Sequence, residues 1–394
     1  MSKKLIIHNG KIITPSRIIP SGSLLITDGL ITAISEYEIQ VSDAERIDAK
    51  GKYIAPGFID IHIHGGGGHD FMDGTATAFI AIAATHLKYG TTAMMPTTLT
   101  STRNNLLDTL KVYEDISKKE IPGAQFTGMH LEGPYFAMNQ KGAQDPRYIK
   151  NPDPAEYKEI LAKTSCIKRW SAAPELEGAL EFGRYMLKNG ILPALAHTDA
   201  IYEEVLEGFD NGFTLATHLY SAMTGVNRRN GLRYAGAVEA AYLIDEMDVE
   251  LIADGVHLPP ALLKLAYKIK GPDRIALITD AMRGAGMPEG DSILGSLENG
   301  IKVIIEDGVA KLPDRSAFAG SVATADRLVR NMIQLADVSM VDAVKMMTAT
   351  PARIIGIDKQ KGSLVVGKAA DIVIFDESIN IDKTIIAGKV LYAI

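Results

Sequence analysis

The stretch "GFIDIHIHGGGGHDF", residues 57–71, sets two histidines one residue apart in an otherwise apolar run and follows them with four glycines. Ile59, Ile61 and Ile63 alternate with Asp60, His62 and His64. Side chains two apart on a strand share a face, so the isoleucines face one way and the polar trio faces the other. A strand buried on both faces reads as a near-continuous apolar run. This one is half of such a run, and its other face carries chemistry. The glycines let backbone pass close to a ligand or take positive φ.

Outward from this strand, the middle of the chain alternates apolar runs with amphipathic helical stretches. The runs are "FIDIHIH", "TTAMMPTT", "QFTGMHLEG", "IKRWSAAPE", "ILPALAHTD", "FTLATHL", "VELIADGVH" and "RIALITDA". Between them lie stretches such as "ATAFIAIAATHLKYG", "ALEFGRYMLKNG" and "PPALLKLAYKIKG", closing on Gly as helix C-termini do. Eight strands, each followed by a helix, predict a (β/α)8 TIM-like barrel. A doubly wound sheet would want G-x-G-x-x-G after its first strand, and "GGGG" lacks the Lys-Ser/Thr ending of a P-loop.

Barrel enzymes keep their chemistry at the C-terminal ends of their strands. Here Glu132 closes "GMHLEG", His197 closes "PALAH", His218 closes "LATH", His257 follows "LIADGV" and Asp280 closes "ALITD". With His62 and His64 these are the imidazoles and carboxylates that suit zinc and similar divalent ions. A lone His ending a strand is more often a satisfied polar residue, but so many on different strands predict a metal site. The other histidines read as structural: His8 in the N-terminal region, His86 on a helix as a surface or packing residue, His130 deeper in the barrel, and His69 on the glycine loop.

The first fifty residues read as short strands with hairpin dipeptides at Asn9-Gly10 and Asp28-Gly29. The C-terminal "GSLVVGKAADIVIFD" and "INIDKTIIAGKVLYAI" have the same texture. Residues 1–55 with 359–394 are therefore expected to form a small β-sandwich domain from both termini, and 56–358 the barrel. At 394 residues and 46% hydrophobic, the chain can bury a large core. A net charge of −7 without a basic block argues against nucleic-acid or anionic-membrane partners. A single cysteine, Cys166, and no apolar run of membrane length fit a cytoplasmic protein.

H-x-H after "APGFID", the His-ended later strands, the Asp ending the eighth and the closing "GSLVVGKAADIVIFD" resemble the amidohydrolase superfamily. Within it, "HLEGPY", "KGAQDP", "ATHLYSAM", "IADGVH", "LITDAMR" and "AGS" resemble the N-acetylglucosamine-6-phosphate deacetylase family, in order and over nearly the whole chain. Many superfamily members carry a carboxylated Lys ligand, which a cyclic-amide hydrolase would show. This family uses the Glu of "HLEGP" instead, here Glu132.

The resemblance implies one or two divalent metals per subunit, zinc foremost, with Fe, Mn or Co as alternatives. Glu132, His197 and His218 would hold the principal ion, and His62 and His64 a second. Asp280 would carry the proton from the attacking water to the departing sugar amine. A catalytically silent scaffold of the same fold should have lost ligands, and none is lost here. The substrate would be a phosphorylated N-acetyl amino sugar: the glucosamine epimer first, the galactosamine epimer as alternative. Contacts to it would come from Ala143, Gln144, Ser221, Ala222, Asp254, Gly255, Val256, His257, Phe318, Ala319 and Gly320. In a homodimer, Arg229 (or its neighbour Arg228) would reach the phosphate in the neighbouring subunit's site. Where many relatives carry His in the "KGAxxP" loop, this chain has Gln144, a neutral donor.

Overall fold

A computed structural model describes residues 2–394. Eight strands form its centre: Phe58–Ile63, Thr91–Thr98, Met129–Glu132, Ile167–Ala172, Leu192–Leu195, Leu215–Ala216, Asp248–Leu251 and Ile275–Leu277. They pair in parallel in that order, each falling on one of the eight apolar runs, the seventh starting one residue ahead of its run at Asp248. A short lead-in, Gln125–Phe126, also pairs with the second strand before Gly128, at φ 124°, interrupts the run.

The seam between the eighth strand and the first is held differently. The Asp280 N–H donates to His62 O at 2.9 Å. Below it, Thr279 donates to the Asp60 carboxylate twice, from Oγ1 at 2.5 Å and from N–H at 3.3 Å. Asp60 thus bridges the barrel seam, which explains the lowest polar position of the opening strand. Burial, only partly offset by Thr279, pushes its carboxyl up to about 7. The result is a near-closed, parallel eight-stranded barrel.

A helix follows each of the first seven strands: Ala76–Leu87, Arg103–Ile116, Pro154–Lys163, Ala179–Lys188, Tyr202–Asp210, Ala237–Leu243 and Pro260–Lys270. Thr75, Thr102 and Asp153 cap the first three, their side chains accepting from backbone N–H groups. Each such cap contributes about 1 kcal/mol. Between barrel and helices, Trp170 stacks on Tyr135 at 5.7 Å and meets Phe182 edge-on at 5.4 Å. Its indole N–H donates to Gly133 O at 2.8 Å, so its one polar group stays satisfied in the core. Ile59 and Ile61 face outward as expected, packing with Ala276, Ile278 and Ala352.

The eighth strand departs from the alternation. A four-stranded antiparallel sheet, Gly290–Leu294, Ile301–Glu306, Val309–Lys311 and Phe318–Ser321, intervenes before helix Ala325–Ala336. Its central hairpin turns on Asp307 and Gly308, at φ 55° and 72°, the left-handed pair that a two-residue turn requires. Leu294, Val303 and Ile305 pack it down on Met282.

Both termini contribute to one further sheet, as expected: five strands from residues 4–56 and three from 372–393. It is one continuous, mostly antiparallel eight-stranded sheet, where a sandwich would have two. The reason lies in Lys4–Ile13. This strand pairs along one edge with Ile18–Thr27 and along the other first with Glu45–Asp48, then with Tyr53–Pro56. Register shifts around Gly10 break its ladder, and such bulges bend a strand. One bent strand therefore joins the N-terminal strands to those of the C-terminus in one sheet. Ile7, Ile12, Leu24, Ile54, Ile372 and Ile385 fill a core separate from the barrel's. Among the described residues no helix is long and apolar enough to cross a membrane.

Candidate active site

Six of the strand-end residues meet in one buried cluster. Glu132 Oε1 lies 3.0 Å from His218 Nε2, 3.3 Å from His197 Nε2 and 3.5 Å from His62 Nε2. Its Oε2 lies 3.3 Å from His64 Nε2. Asp280 Oδ1 approaches His64 Nε2 at 3.1 Å and His62 Nε2 at 3.5 Å. Two overlapping sets of three result, His62–His64–Glu132 and Glu132–His197–His218, sharing the one glutamate.

The outer nitrogens show why these rings gather. His197 Nδ1 lies 2.7 Å from Gln140 O, His64 Nδ1 3.2 Å from Thr97 O, and His62 Nδ1 3.3 Å from Glu250 Oε2. Each Nδ1 faces a pure acceptor and must donate, which leaves the neutral ring's Nε2 as a bare lone pair. Those lone pairs point at carboxylate oxygens, and His62 Nε2 and His64 Nε2 face each other at 3.3 Å. Lone pairs converging on anionic oxygens repel unless a cation lies between them. Donors of this kind fit a divalent transition ion, and the outer partners fix ring orientation as they do around such metals.

In the bare protein the rings and acids share protons instead. Burial opposes charging His64, but Asp280 and Glu132 outweigh it and carry its pKa well above the usual imidazole value. His218 is raised against burial by Glu132 and Asp280. For His62 burial wins and the pKa falls. Burial would raise Glu132, yet the surrounding imidazoles hold it well below the ordinary carboxylate range. Burial would raise Asp280 too, but His64 and His62 hold it low.

Three of these residues have left-handed backbone although none is glycine: His197 at φ 48°, His218 at 32° and Asp280 at 47°. Such conformations cost on the order of 1 kcal/mol or more each and gather at functional sites. Here each falls where its chain leaves a barrel strand and turns over the mouth.

A cavity of about 560 Å³ opens above the cluster. Ala143, Gln144, Ser221, Ala222, His257, Phe318 and Gly320 line it, with His64, Glu132, His197, His218 and Asp280 at its base. Asp254 supports the wall, accepting from the backbone N–H groups of Val256 and His257 and from His257 Nδ1 at 2.7 Å. Gly255 takes φ 82° in the same turn, and Ala319 is buried behind Phe318 and Gly320. Gln144 spans Glu132 and the second strand's loop: its Nε2 donates to Glu132 Oε2 at 2.7 Å, and its Oε1 accepts from Thr100 N–H at 2.9 Å. Arg229 is not brought to this cavity. It lies on the exposed hairpin Asn227–Arg229/Leu232–Tyr234 and donates to Asp199 O at 2.6 Å; Arg228 is exposed beside it.

Of the remaining histidines, His8 lies half-buried on the strand Lys4–Ile13 of the terminal sheet, away from the barrel. His86 is fully buried rather than at the surface, with Nε2 2.9 Å from Gly65 O. His130 lies below the cluster between Thr97 and Ser171, its ring 4.7 Å edge-on to His62. His69 is partly exposed, 4.0 Å from Asp73.

Two interior residues join the site that the pattern of strand ends does not point to. Glu250 on the seventh strand and Arg169 on the fourth form a fully buried ion pair directly beneath His62. Arg169 Nη2 also donates to Thr217 Oγ1 at 2.7 Å. The signal was a charge at an inward position of each run, Glu250 in "VELIAD" and Arg169 in "IKRWSA".

The amidohydrolase family matches residues 53–391, nearly the whole chain. This chain belongs to the amidohydrolase family. The amidohydrolase is 33% identical over 380 residues to an N-acetylgalactosamine-6-phosphate deacetylase of Escherichia coli O157:H7, covering 96% of this chain and 97% of that protein. It is 32% identical to an N-acetylglucosamine-6-phosphate deacetylase of Lysinibacillus sphaericus, covering 98% and 97%. Among solved structures it resembles N-acetylglucosamine-6-phosphate deacetylase from Pasteurella multocida, with a TM-score of 0.92, 27% identity and coverage of 99% and 100%. The Mycobacterium smegmatis enzyme, solved as an Asp-to-Ala mutant in complex with N-acetyl-D-glucosamine-6-phosphate, matches with a TM-score of 0.90, 27% identity and coverage of 99% and 100%.

Proposed function

We propose that this amidohydrolase removes the acetyl group of N-acetyl-D-glucosamine 6-phosphate, giving D-glucosamine 6-phosphate and acetate. The observation that carries the reading is the shared Glu132: one carboxylate ringed by four imidazole Nε2 atoms, with Asp280 beside them under a cavity. A divalent ion held by Glu132, His197 and His218, zinc foremost, would acidify the attacking water and polarise the amide carbonyl. His62, His64 and the same Glu132 would hold a second ion.

The chain's own groups supply the rest. Asp280, with Oδ1 3.1 Å from His64 Nε2 at the edge of the cluster, accepts a proton from the attacking water. It then returns that proton to the sugar nitrogen, since an amine departs poorly unless protonated. Gln144 fixes Glu132 through Oε2, and its amide offers no charge. His257, locked by Asp254, together with Ser221 and Ala222, forms the wall that would meet the phosphate.

A homodimer fits the exposed hairpin, which presents Val226 and Leu232, 60% and 65% exposed, beside Arg228 and Arg229. In that assembly Arg229 would reach the neighbouring subunit's phosphate. The lone buried Cys166 supports a reducing compartment such as the cytoplasm.

The galactosamine epimer is a second reading, favoured by the similarity to the Escherichia coli enzyme. Acetate release should be measured on the 6-phosphates of both N-acetylated sugars and on unphosphorylated N-acetylglucosamine, with metal content determined in parallel. The proposal expects the glucosamine 6-phosphate to be hydrolysed fastest and metal to be bound. A faster galactosamine epimer would shift the assignment to that sugar. Equal rates with and without phosphate, or metal-free protein of full activity, would overturn it.

A further inference from the structure

The cavity needs a permanent positive charge if it is to hold a sugar phosphate, and Arg229 lies outside it in this chain. Among the described residues lining the cavity, Lys141 is the one Lys or Arg. Its Nζ has no carboxylate within salt-bridge distance among the described residues, and its one side-chain hydrogen bond there is to Gly142 O, at 3.4 Å. Lys150, by contrast, pairs with Glu156 at 2.7 Å. Lys141 is left free, and it faces the space above the cluster.

Its backbone is the more telling feature. Lys141 stands between two residues pinned to the cluster itself. Gln140 O takes the His197 Nδ1 proton at 2.7 Å, and the Gln140 side chain is tied to Asp199 Oδ1 at 2.7 Å. On the other side Gln144 Nε2 donates to Glu132 Oε2 at 2.7 Å, while Gln144 N–H donates to Lys141 O at 2.9 Å. Gly142 takes φ 55°, a left-handed turn that favours glycine, beside the His197 ring. A cation on a loop held at both ends loses little backbone freedom when it binds an anion. The cavity wall also includes Ser316 and Ala317, of the turn leading into the last strand of the inserted sheet, and Phe318, which packs 4.5 Å from the His257 ring. The nearby acid, Asp314, has Oδ1 occupied by Ser316 Oγ at 2.6 Å and by Ser316 N–H at 3.0 Å; it feels the Lys141 charge but does not come within salt-bridge distance of it.

We propose that Lys141 is a specificity-determining residue that binds the substrate's phosphate within its own subunit, across the cavity from His257. The inference rests on the sugar-phosphate reading above. A Lys acts on phosphate as a point charge with three donors and needs no bidentate geometry. The site would thus hold a cation independent of the partner's Arg229, and a charged substrate would be attracted before any contact with the hairpin.

The test compares the parent with Lys141→Met and Lys141→Arg on N-acetylglucosamine with and without 6-phosphate, and measures inhibition by inorganic phosphate on the unphosphorylated sugar. If the parent shows no preference for the phosphorylated sugar, the reading of the substrate fails, whatever Lys141 does. Given a preference, Lys141→Met should lower the phosphorylated-to-unphosphorylated ratio of kcat/KM by about 10- to 100-fold, chiefly through KM, the loss of one charge-assisted contact. It should weaken phosphate inhibition by a similar factor, and Lys141→Arg should restore most of both. A ratio and a phosphate inhibition constant unchanged within about twofold in Lys141→Met, with metal content intact, would overturn the proposal. A fall in both substrates by one common factor would also overturn it, placing Lys141 among the residues that merely shape the loop.

Discussion

The mouth and the floor of the barrel hold the same kinds of side chain in opposite states. On the floor Glu250 has its own cation: Arg169 faces it in a fully buried pair, Thr217 takes a further Arg169 donor, and His62 donates to the carboxylate. At the mouth Glu132 and Asp280 face imidazoles and, for Glu132, the neutral Gln144 amide, and three of those rings have their Nδ1 proton committed elsewhere. A buried acid with a resident Arg is complete. A buried acid ringed by nitrogen lone pairs is complete only with a cation. His62 joins the two layers, its Nδ1 on Glu250 and its Nε2 in the cluster.

Breaking the mouth at its shared ligand should give the largest effect. Glu132→Gln removes an oxygen donor from both metal sets, so bound metal should collapse and kcat/KM should fall by about 10⁴ or more. Retention of full metal content, measured by elemental analysis, would show that the imidazoles alone suffice.

Asp280→Asn tests the mouth's proton carrier without disturbing its ligands. Metal and substrate Kd should be largely kept, while kcat drops by roughly 10²–10⁴, the span that general acid–base catalysis supplies. A loss that follows metal content would instead make Asp280 a ligand first.

The floor should answer in stability. Arg169→Met strands Glu250 as a lone buried charge and should cost about 3–5 kcal/mol in denaturant unfolding. Adding Glu250→Leu should recover most of that, since a buried pair replaced by apolar groups is often near neutral. The double variant then sharpens the contrast: it should fold but hold metal less tightly, because His62 Nδ1 has lost its acceptor. Unchanged metal affinity would confine the pair to a structural role.

The smallest effect is expected from His62→Ala with His64→Ala. Stoichiometry should fall from about two ions toward one with the fold intact, since Glu132, His197 and His218 remain. A single ion in the fully loaded parent would mean that the H-x-H serves the substrate or the principal ion.

The eight barrel runs and the strand-end residues were readable in the sequence because a strand's period of two and its apolar content are local properties. His62, His64, Glu132, His197, His218 and Asp280 all end such runs, and their chemical type alone points to a metal. The inserted sheet is as local, since "VIIEDGVA" carries the Asp-Gly turn between apolar residues, but its strands fall inside the expected barrel span 56–358 and its packing on Met282 needs the tertiary structure. Other features needed the third dimension. The closing of the seam by Asp60 on Thr279, residues 219 apart, depends on two strands meeting across the barrel. Arg169 and Glu250, 81 apart, are ordinary charges until the barrel buries them face to face. The freedom of Lys141 is likewise visible only once every acid near it has been placed. Sequence determines which groups each strand presents, since backbone geometry fixes side-chain direction from one residue to the next. Which proton each ring keeps, and which charge is left without a partner, is decided by long-range packing, because both depend on what stands opposite.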